Sequence, residues 1–388
     1  MDLSAAQILV VDDNADNRDV LIRRLRRLSL TNVTEAADGI DALDALRGKS
    51  FDLVLLDVMM PRMNGVEVLQ AMQAEGRLED TPVVMISAAS EIDTVARCIE
   101  LGAEDYLPKP FNPALLTARV KAVLEKKFLR AENKAQLVRL EREMAEAWLQ
   151  QQAMLPTEFP VDPAVIDIDA LIDPAFEVGG DLYDVFEIRP GLLCIALGDV
   201  AGKGTAAALF MARTRSLLRA GTLQFQAIAG RDPRPSEIAA LVNDELCKNN
   251  PHSKFVTLFI GFLDVPTGAL SYCNAGHLFP LLAGSGGVAE IANPPEPALG
   301  VIDGMTFTDH SLAIDVGDSL VLTSDGVADM QNGAMDSFGT ERMLVEVGVA
   351  AGRPAEELIR HVVDQARAFA GDAPQFDDIT MLALRRLA

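Results

Sequence analysis

The chain has 388 residues, 49% of them hydrophobic, and a formal net charge of −23. That length predicts two or three domains. The charge argues against a sequence-independent grip on nucleic acid and against docking on an anionic membrane, both of which need a Lys/Arg surface. No apolar stretch reaches the ~18 residues of a membrane span. The start, Met1-Asp2-Leu3-Ser4, lacks a charged-then-apolar leader, so the expected location is cytoplasmic. Cys98, Cys194, Cys247 and Cys273 lie far apart, with neither zinc nor disulfide spacing, and read as buried free thiols.

Residues 7 to about 125 switch repeatedly between strand and helix period. The apolar run 7–11 ends in Asp12-Asp13. Residues 14–28 have helical spacing, with Val20, Leu21, Leu25 and Leu28 apolar. There follow a strand at 32–35, a helix at 39–46, a buried strand at 51–56 ending at Asp57 and a helix at 65–72. A strand at 82–86, a helix at 91–101, a strand at 103–107 and a last helix from Pro113 complete the series. Five strand–helix units predict a parallel five-stranded sheet covered on both faces, with its ligands at the carboxyl ends of the strands.

From about residue 115 to 155 there is no Gly or Pro and the charges are dense. Val120, Leu124, Phe128, Ala131, Ala135 and Val138 recur at helical steps. A second register follows in Leu137, Leu140, Met144 and Ala147, with Met154 further along. The change of phase resembles a stutter. The stripe outruns what a helix packed on its own domain needs, which favours a dimeric coiled coil ended by Pro156. Beyond it, short apolar strands at 192–197, 256–263, 271–273, 281–282, 319–323 and 379–384 are separated by turn clusters. Helical patterns fall at 206–220, 235–246 and 355–369. This predicts an α+β sandwich with sheets inside and helices outside, an α-β-β-α arrangement. The expected domains are 1–125, a helical linker at 126–155, and 156–388.

Asp12, Asp13 and Asp57 each follow a strand, so a parallel sheet would gather them at one edge. Like charges held close are costly unless a cation offsets them, and Mg²⁺ suits such a set. Ser87 ends the fourth strand and can donate to a phosphoryl oxygen, and Lys109 ends the fifth and supplies positive charge to the same oxygens. A cis Lys109–Pro110 bond would aim the lysine inward. A lone Asp after a strand is usually a turn former, but this ordered set is not. The runs VVDDN at 10–14, LLDVMMPRMNG at 55–65, Ser87-Ala88, Tyr106 and Lys109-Pro110-Phe111 resemble bacterial response-regulator receiver domains, which have a flavodoxin-like fold. The resemblance implies that Asp57 is phosphorylated by a sensor histidine kinase and that Asp12 and Asp13 hold Mg²⁺ with it. It also implies that Ser87 and Tyr106 report phosphorylation.

Four further acidic motifs stand out: Gly179-Gly180-Asp181-Leu182-Tyr183-Asp184, Gly198-Asp199-Val200-Ala201-Gly202-Lys203-Gly204, Ser324-Asp325-Gly326 and Asp377-Asp378-Ile379-Thr380. Strand-end aspartates with glycine neighbours suit two Mg²⁺ or Mn²⁺ ions, which can activate a water and clamp a phosphoryl group. The first motif is similar to that of diguanylate cyclases, but Leu182-Tyr183 replaces their Glu-Phe. The second is one residue short of a nucleotide phosphate loop, and Gly204 stands where Ser or Thr should be. Taken alone, each motif reads as an Asp-Gly turn.

Together the four resemble metal-dependent type-2C (PPM) serine/threonine phosphatases of the SpoIIE-like branch, over about residues 150 to 388. The resemblance implies that Asp199 bridges two metals with help from the Val200 carbonyl. Asp325 and Asp377 would complete the inner ion, Asp181 would hold a metal-bound water, and the ligand within the Asp377–Asp378 pair stays open. Asn274-Ala275-Gly276-His277 also matches this branch, with a structural role favoured for His277. No histidine follows the bridging position, so the leaving-group acid is a metal water, or Lys203 binds phosphate.

The expected function is a response regulator whose output removes phosphate from a protein serine or threonine. The substrate the resemblance suggests is a phosphorylated anti-sigma-factor antagonist, with a homodimer formed through the linker. The alternative is a non-catalytic adaptor with a pseudo-phosphatase domain. No DNA-binding segment supports a transcription factor.

Overall fold

Ile8–Val11 (β1) and Leu53–Asp57 (β3) are buried at every position, the mark of strands covered on both faces. The structure, a computed structural model, describes residues 3–88, 92–176 and 178–388. Met1, Asp2 and the expected helix start at Glu91 lie outside the described residues. The remaining elements of the first unit, in chain order, are α1 (Ala15–Arg27), β2 (Val33–Ala36), α2 (Gly39–Gly48), α3 (Gly65–Ala74), β4 (Val83–Ala88), α4 (Ile92–Glu100) and β5 (Asp105–Lys109). The sheet order is β2-β1-β3-β4-β5, and every pairing is parallel.

Alternate residues feed opposite cores. Leu9, Val11, Val54 and Leu56 pack with Leu43, Val68 and Leu69. Ile8, Val10, Leu53 and Leu55 pack with Leu21, Leu25, Val120 and Leu124. The helices after the site strands are capped by side chains: Asn14 Oδ1 accepts from Asp16 N at 2.8 Å, and Asn64 forms a capping box with Glu67. Such caps contribute about 1 kcal/mol each. Asp57 closes β3 as the sequence pattern suggests, and β5 covers Asp105–Lys109 rather than 103–107. The Lys109–Pro110 bond is cis.

Helix α5 (Pro113–Gln152) is continuous over 40 residues and stops before Pro156. Leu116, Val120, Val123 and Leu124 are buried in the first core. Leu129, Leu137, Val138, Leu140 and Leu149 are exposed. The chain divides into two compact units between Leu140 and Glu141.

The second unit contains β6 (Ile166–Asp173), β7 (Leu182–Arg189), β8 (Leu192–Val200), α6 (Thr205–Ala229), α7 (Pro235–Cys247), β9 (Val256–Asp264), β10 (Ala269–Ala275), β11 (Leu281–Gly284), β12 (Gly287–Glu290), β13 (His310–Ala313), β14 (Ser319–Thr323), α8 (Thr340–Ala350), α9 (Ala355–Ala370) and β15 (Ile379–Arg386). Two antiparallel sheets form, in the orders β13-β10-β9-β8-β7 and β12-β11-β14-β15-β6. Between them lie Val185, Leu193, Ile195, Leu197, Phe259, Leu320, Leu322, Leu382 and Leu384. The outer face of the first sheet is covered by Met211, Leu218, Ile238 and Val242 from α6 and α7. The outer face of the second is covered by Val347, Leu358 and Val362 from α8 and α9. The expected α-β-β-α layering is therefore present, with α8 and the strands β6, β7, β12 and β13 added to the elements visible in the sequence pattern. The four cysteines are free. Among the described residues no helix is long and apolar enough to cross a membrane.

Gly65 has one strict requirement. A Cβ there would stand 2.1 Å from the Asp57 carbonyl oxygen and 3.1 Å from Val58 Cα, while Gly65 N donates to Val58 O at 2.9 Å. Backbone cannot yield as a flexible side chain would, so Gly65→Ala is expected to cost roughly 2–3 kcal/mol of first-unit stability. Urea denaturation of the full chain, followed by amide exchange in β3, checks this. Unchanged protection would show that the loop repacks freely.

Candidate functional site

The parallel sheet delivers Asp12, Asp13 and Asp57 to one edge, where a carboxylate oxygen from each lies within 4.8 Å of the others. Asp12 and Asp57 are buried and Asp13 is exposed. The Lys109 ammonium is 2.9 Å from Asp12 Oδ2 and 2.8 Å from Asp57 Oδ2. Asn14 N at 2.9 Å and Asn17 Nδ2 at 3.1 Å also donate to Asp12 Oδ1. Burial still pushes the Asp57 carboxyl up to about 6, with the charges of Asp12 and Asp13 adding to it and Lys109 opposing. Burial works against the Lys109 ammonium too, but its hydrogen bonds to Asp57 and Asp12 hold it above the usual lysine range. One cation facing three acids leaves a deficit of positive charge, so the donor set fits a hard divalent ion such as Mg²⁺. Ser87 is buried at the penultimate position of β4. Tyr106 is exposed, with the Arg119 guanidinium 5.9 Å from its ring centroid.

In the second unit the expected acids converge from four loops. Asp181 immediately precedes β7, Asp199 lies near the end of β8, Asp325 follows β14 and Asp377–Asp378 precede β15. Asp181 is almost fully buried, and its Oδ2 has no hydrogen-bond partner among the described residues. Burial raises its carboxyl well above the usual range, and neighbouring Asp199 adds to this. Asp199 is pushed up to about 6 by burial and then by the charge of Asp325, with Asp181 hydrogen bonding opposing. Burial and then Asp377 raise Asp325. These are oxygen donors without enough positive charge among them, and a buried carboxylate oxygen without a donor fits a metal site. Among the described residues, no three of these carboxylates close to the 4.8 Å spacing of the first unit.

The geometry separates acids that look alike in sequence. Asp184, in the same motif as Asp181, is taken up by Arg219 Nε at 3.1 Å and Nη2 at 3.0 Å, and by Arg215 at 3.2 Å. Asp378 Oδ2 accepts from Gly180 N at 2.7 Å, and its Oδ1 accepts from Ala175 N at 2.9 Å. It therefore clasps the Gly179-Gly180 loop. Asp377 is half-buried and faces the Lys203 ammonium at 3.2 Å. Glycine is required where these loops touch: a Cβ on Gly179 would meet Asp378 Oδ2 at 2.6 Å, and one on Gly180 would meet the Val200 carbonyl at 2.9 Å. Ser324 knots two loops, with Oγ donating to Asp378 O at 3.1 Å and accepting from Thr380 N at 3.0 Å.

Sequence reasoning passed over two side chains. Gln151, on the last turn of α5, is buried. Its Nε2 donates to Gly179 O at 2.7 Å and its Oε1 accepts from Gly179 N at 3.1 Å. Lys254 donates to Ala201 O at 2.8 Å beneath the turn after Asp199. Neither carries a motif, and only the glutamine's place in a polar helix register drew attention away from it.

His277 is buried, with Nδ1 2.9 Å from Thr257 Oγ1. Thr257 pairs with Asp199 across β8 and β9. Asn274 Oδ1 accepts from His277 N at 2.8 Å, fixing the turn. The ring therefore supports the strand that carries Asp199.

The comparisons with known proteins agree with both units. Residues 8–121 match the response regulator receiver domain, and residues 189–387 match Stage II sporulation protein E (SpoIIE). The chain is thus a receiver domain joined to a PP2C-like phosphatase domain. The second match takes in just over half of the sequence, and the chain belongs to the SpoIIE family. Asp199, Asp325, Asp377 and Asp378 fall inside that match, and Asp181 precedes it.

Protein IcfG of Synechocystis sp. is 33% identical over 256 residues, covering 61% of this chain and 40% of IcfG. Transcriptional regulatory protein CpxR of Escherichia coli is 51% identical over 78 residues, covering 20% of this chain and 32% of CpxR. The chain thus spans less than half the length of these curated relatives. The SiaA-PP2C domain of Pseudomonas aeruginosa superposes with a TM-score of 0.57 at 22% identity, over 65% of this chain and 98% of that domain, a likeness of fold.

Burial pushes the His277 imidazole down to about 4, though a backbone hydrogen bond at Thr323 opposes the shift. A folded value below the unfolded ~6.5 means that the unfolded chain binds the proton first. Stability from this group is therefore complete above about pH 6.5 and is lost as pH falls toward 4, by about 3 kcal/mol. His277→Gln should lose that segment of the pH–stability curve, measured by urea denaturation of both proteins from pH 4 to 7.5. Parallel curves would show that His277 gains its proton without penalty.

Proposed function

We propose that this chain is a response regulator in which a phosphoryl group on Asp57 controls hydrolysis of phosphoserine or phosphothreonine on a protein. The observation that carries the catalytic half is the buried Asp181 carboxylate oxygen without a donor, set among the raised carboxyls of Asp199 and Asp325. Asp199, the Val200 carbonyl, Asp325, Asp377 and Asp181 would hold two Mn²⁺ or Mg²⁺ ions. When bound, such a pair supplies an activated water and neutralises charge on the phosphoryl oxygens.

The geometry supports Asp377 rather than Asp378 as the ligand, because both Asp378 oxygens accept backbone N–H groups, whereas Asp377 gives only Oδ1 to one, Asp378 N at 3.0 Å, and turns Oδ2 to the Lys203 ammonium. Lys203, the cation beside Asp377, is placed to meet the phosphoryl oxygens. In the receiver, an Asp57 oxygen would attack the phosphorus of a phosphohistidine donor, forming an acyl phosphate as the P–N bond breaks and the donor's imidazole leaves. Asp12 and Asp13 would hold Mg²⁺ with Asp57, the ion would offset charge on the phosphoryl oxygens, and Lys109, 2.8 Å from Asp57 Oδ2, would pair with the same oxygens. Ser87 and Tyr106 then report the modified state. A phosphorylated anti-sigma-factor antagonist is the proposed substrate.

The test is Mn²⁺-dependent release of phosphate from a phosphoserine protein. Wild type should be active and Asp199→Ala at least about 100-fold slower, the scale expected when a main electrostatic group is removed. If both were equally inactive with Mn²⁺ and Mg²⁺, with and without an acyl-phosphate mimic on Asp57, a binding-only adaptor would be the correct reading.

The exposed Leu129, Leu137, Val138, Leu140 and Leu149 on α5 support pairing of two chains through this helix. The Gln151–Gly179 hydrogen bonds offer that helix a hold on the loop before Asp181. Sedimentation should find a dimer that Leu137→Glu with Leu140→Glu converts to monomer, with loss of the rate response to the Asp57 mimic. A monomeric wild type at high concentration, with and without the mimic, contradicts this route.

A further inference from the structure

The three loops that supply Asp181, Asp199 and Asp377 also bring together three side chains that no acid–metal role uses. Phe176 precedes the Gly179-Gly180-Asp181 turn, Lys203 follows Asp199 in its glycine-rich loop, and Phe376 is the residue before Asp377. The Lys203 ammonium stands 3.8 Å from the Phe376 ring centroid and 5.5 Å from that of Phe176. It also donates to the Phe376 carbonyl and pairs with Asp377 at 3.2 Å. Phe376 is 69% exposed and Phe176 49% exposed, whereas Phe186, Phe210, Phe259 and Phe262 in the same unit are buried. One exposed ring needs no explanation. Two rings from separate loops, converging on one cation at the edge of the carboxylate site, make a shaped surface.

We propose that Phe176, Lys203 and Phe376 form a phosphopeptide subsite, in which Lys203 meets the phosphoryl group and the two rings seat an apolar side chain adjacent to the phosphorylated residue. The proposal rests on the phosphatase reading and adds to it the class of sequence accepted. Charge selects the neighbour. The chain carries a net −23, so an acidic neighbour is repelled by the surrounding field. A basic neighbour placed between the rings meets the Lys203 ammonium. An apolar side chain of leucine size meets neither penalty and covers ring surface that water otherwise wets.

The experiment uses the full chain with Mn²⁺ and two peptides identical except for leucine or glycine next to the phosphoserine. Hydrolysis is followed on the phosphoserine pair, and binding by fluorescence anisotropy on the matching phosphonate pair. Wild type should favour leucine about tenfold in both KM and Kd, the discrimination expected of one small apolar contact. Phe176→Ala and Phe376→Ala should bring that ratio toward one, Phe376→Leu should keep part of it, and Lys203→Ala should weaken both peptides alike. No leucine preference in wild type, no binding of either peptide, or a full preference retained in both alanine variants overturns the subsite. Preferential binding without hydrolysis supports the subsite and overturns the phosphatase reading. Hydrolysis without preference does the reverse.

Discussion

Burial of carboxylates at strand ends, with their mutual repulsion added to it, is the constraint that organises both units. A sheet whose strands end in aspartate concentrates negative charge at one edge, and each pKa unit of upward displacement is about 1.4 kcal/mol against the charged form. Burial, with the charges of Asp12 and Asp13 added, pushes Asp57 up to about 6 despite a lysine 2.8 Å away, and burial followed by the charge of Asp325 pushes Asp199 up to about 6. A fold selected for stability alone would not keep such groups. Retaining them makes sense where a divalent cation or a phosphoryl group is part of the working state, because whatever binds the folded chain adds its binding energy to stability.

The chain manages this repulsion differently in the two units. In the first, Lys109 bridges two acids from the end of β5, and Gly65 lets the following loop lie directly on the Asp57 backbone. In the second, backbone does more of the work. Asp378 spends its two oxygens on the N–H groups of Ala175 and Gly180, and Ser324 binds the Asp325 loop to β15. Asp184 is neutralised by two arginines of α6. Among the described residues, Asp181 Oδ2 is the buried carboxylate oxygen that no donor reaches, and that is what singles it out among the acids of the site.

The sequence was a good guide where a period and a chemical pattern coincided. The apolar runs of β1 and β3 and the ordered acids Asp12, Asp13 and Asp57 located one sheet edge. The amphipathic stripes of α6, α7 and α9 located the outer layers. It was a poor guide where tertiary context decides. β6, with aspartates alternating through Ile166–Asp173, has no apolar run to mark it because as the end strand of its sheet it is only half-buried. β5 was placed too early because Pro108 lies inside it, and proline is tolerated there because β5 is an edge strand. Adjacent Asp377 and Asp378 cannot be told apart from sequence, since only the fold reveals that Asp378 gives both oxygens to backbone N–H groups while Asp377 keeps one for Lys203. Gln151 is one polar residue of a polar helix until its amide is seen against Gly179.

The two site lysines point to different chemistry at their two acids. Lys109 is one-quarter exposed and shared between Asp12 and Asp57, so it is fixed where charge would build on the proposed Asp57 phosphoryl group. Lys203 is tied to one half-buried acid and lies against two exposed rings. A single ion pair at that exposure contributes little to stability, so Lys203 exchanges Asp377 for another anion at small cost. A receiver has to keep its phosphoryl group until the signal has passed. A phosphatase has to let its substrate in and its phosphate out, and the looser lysine suits that second requirement.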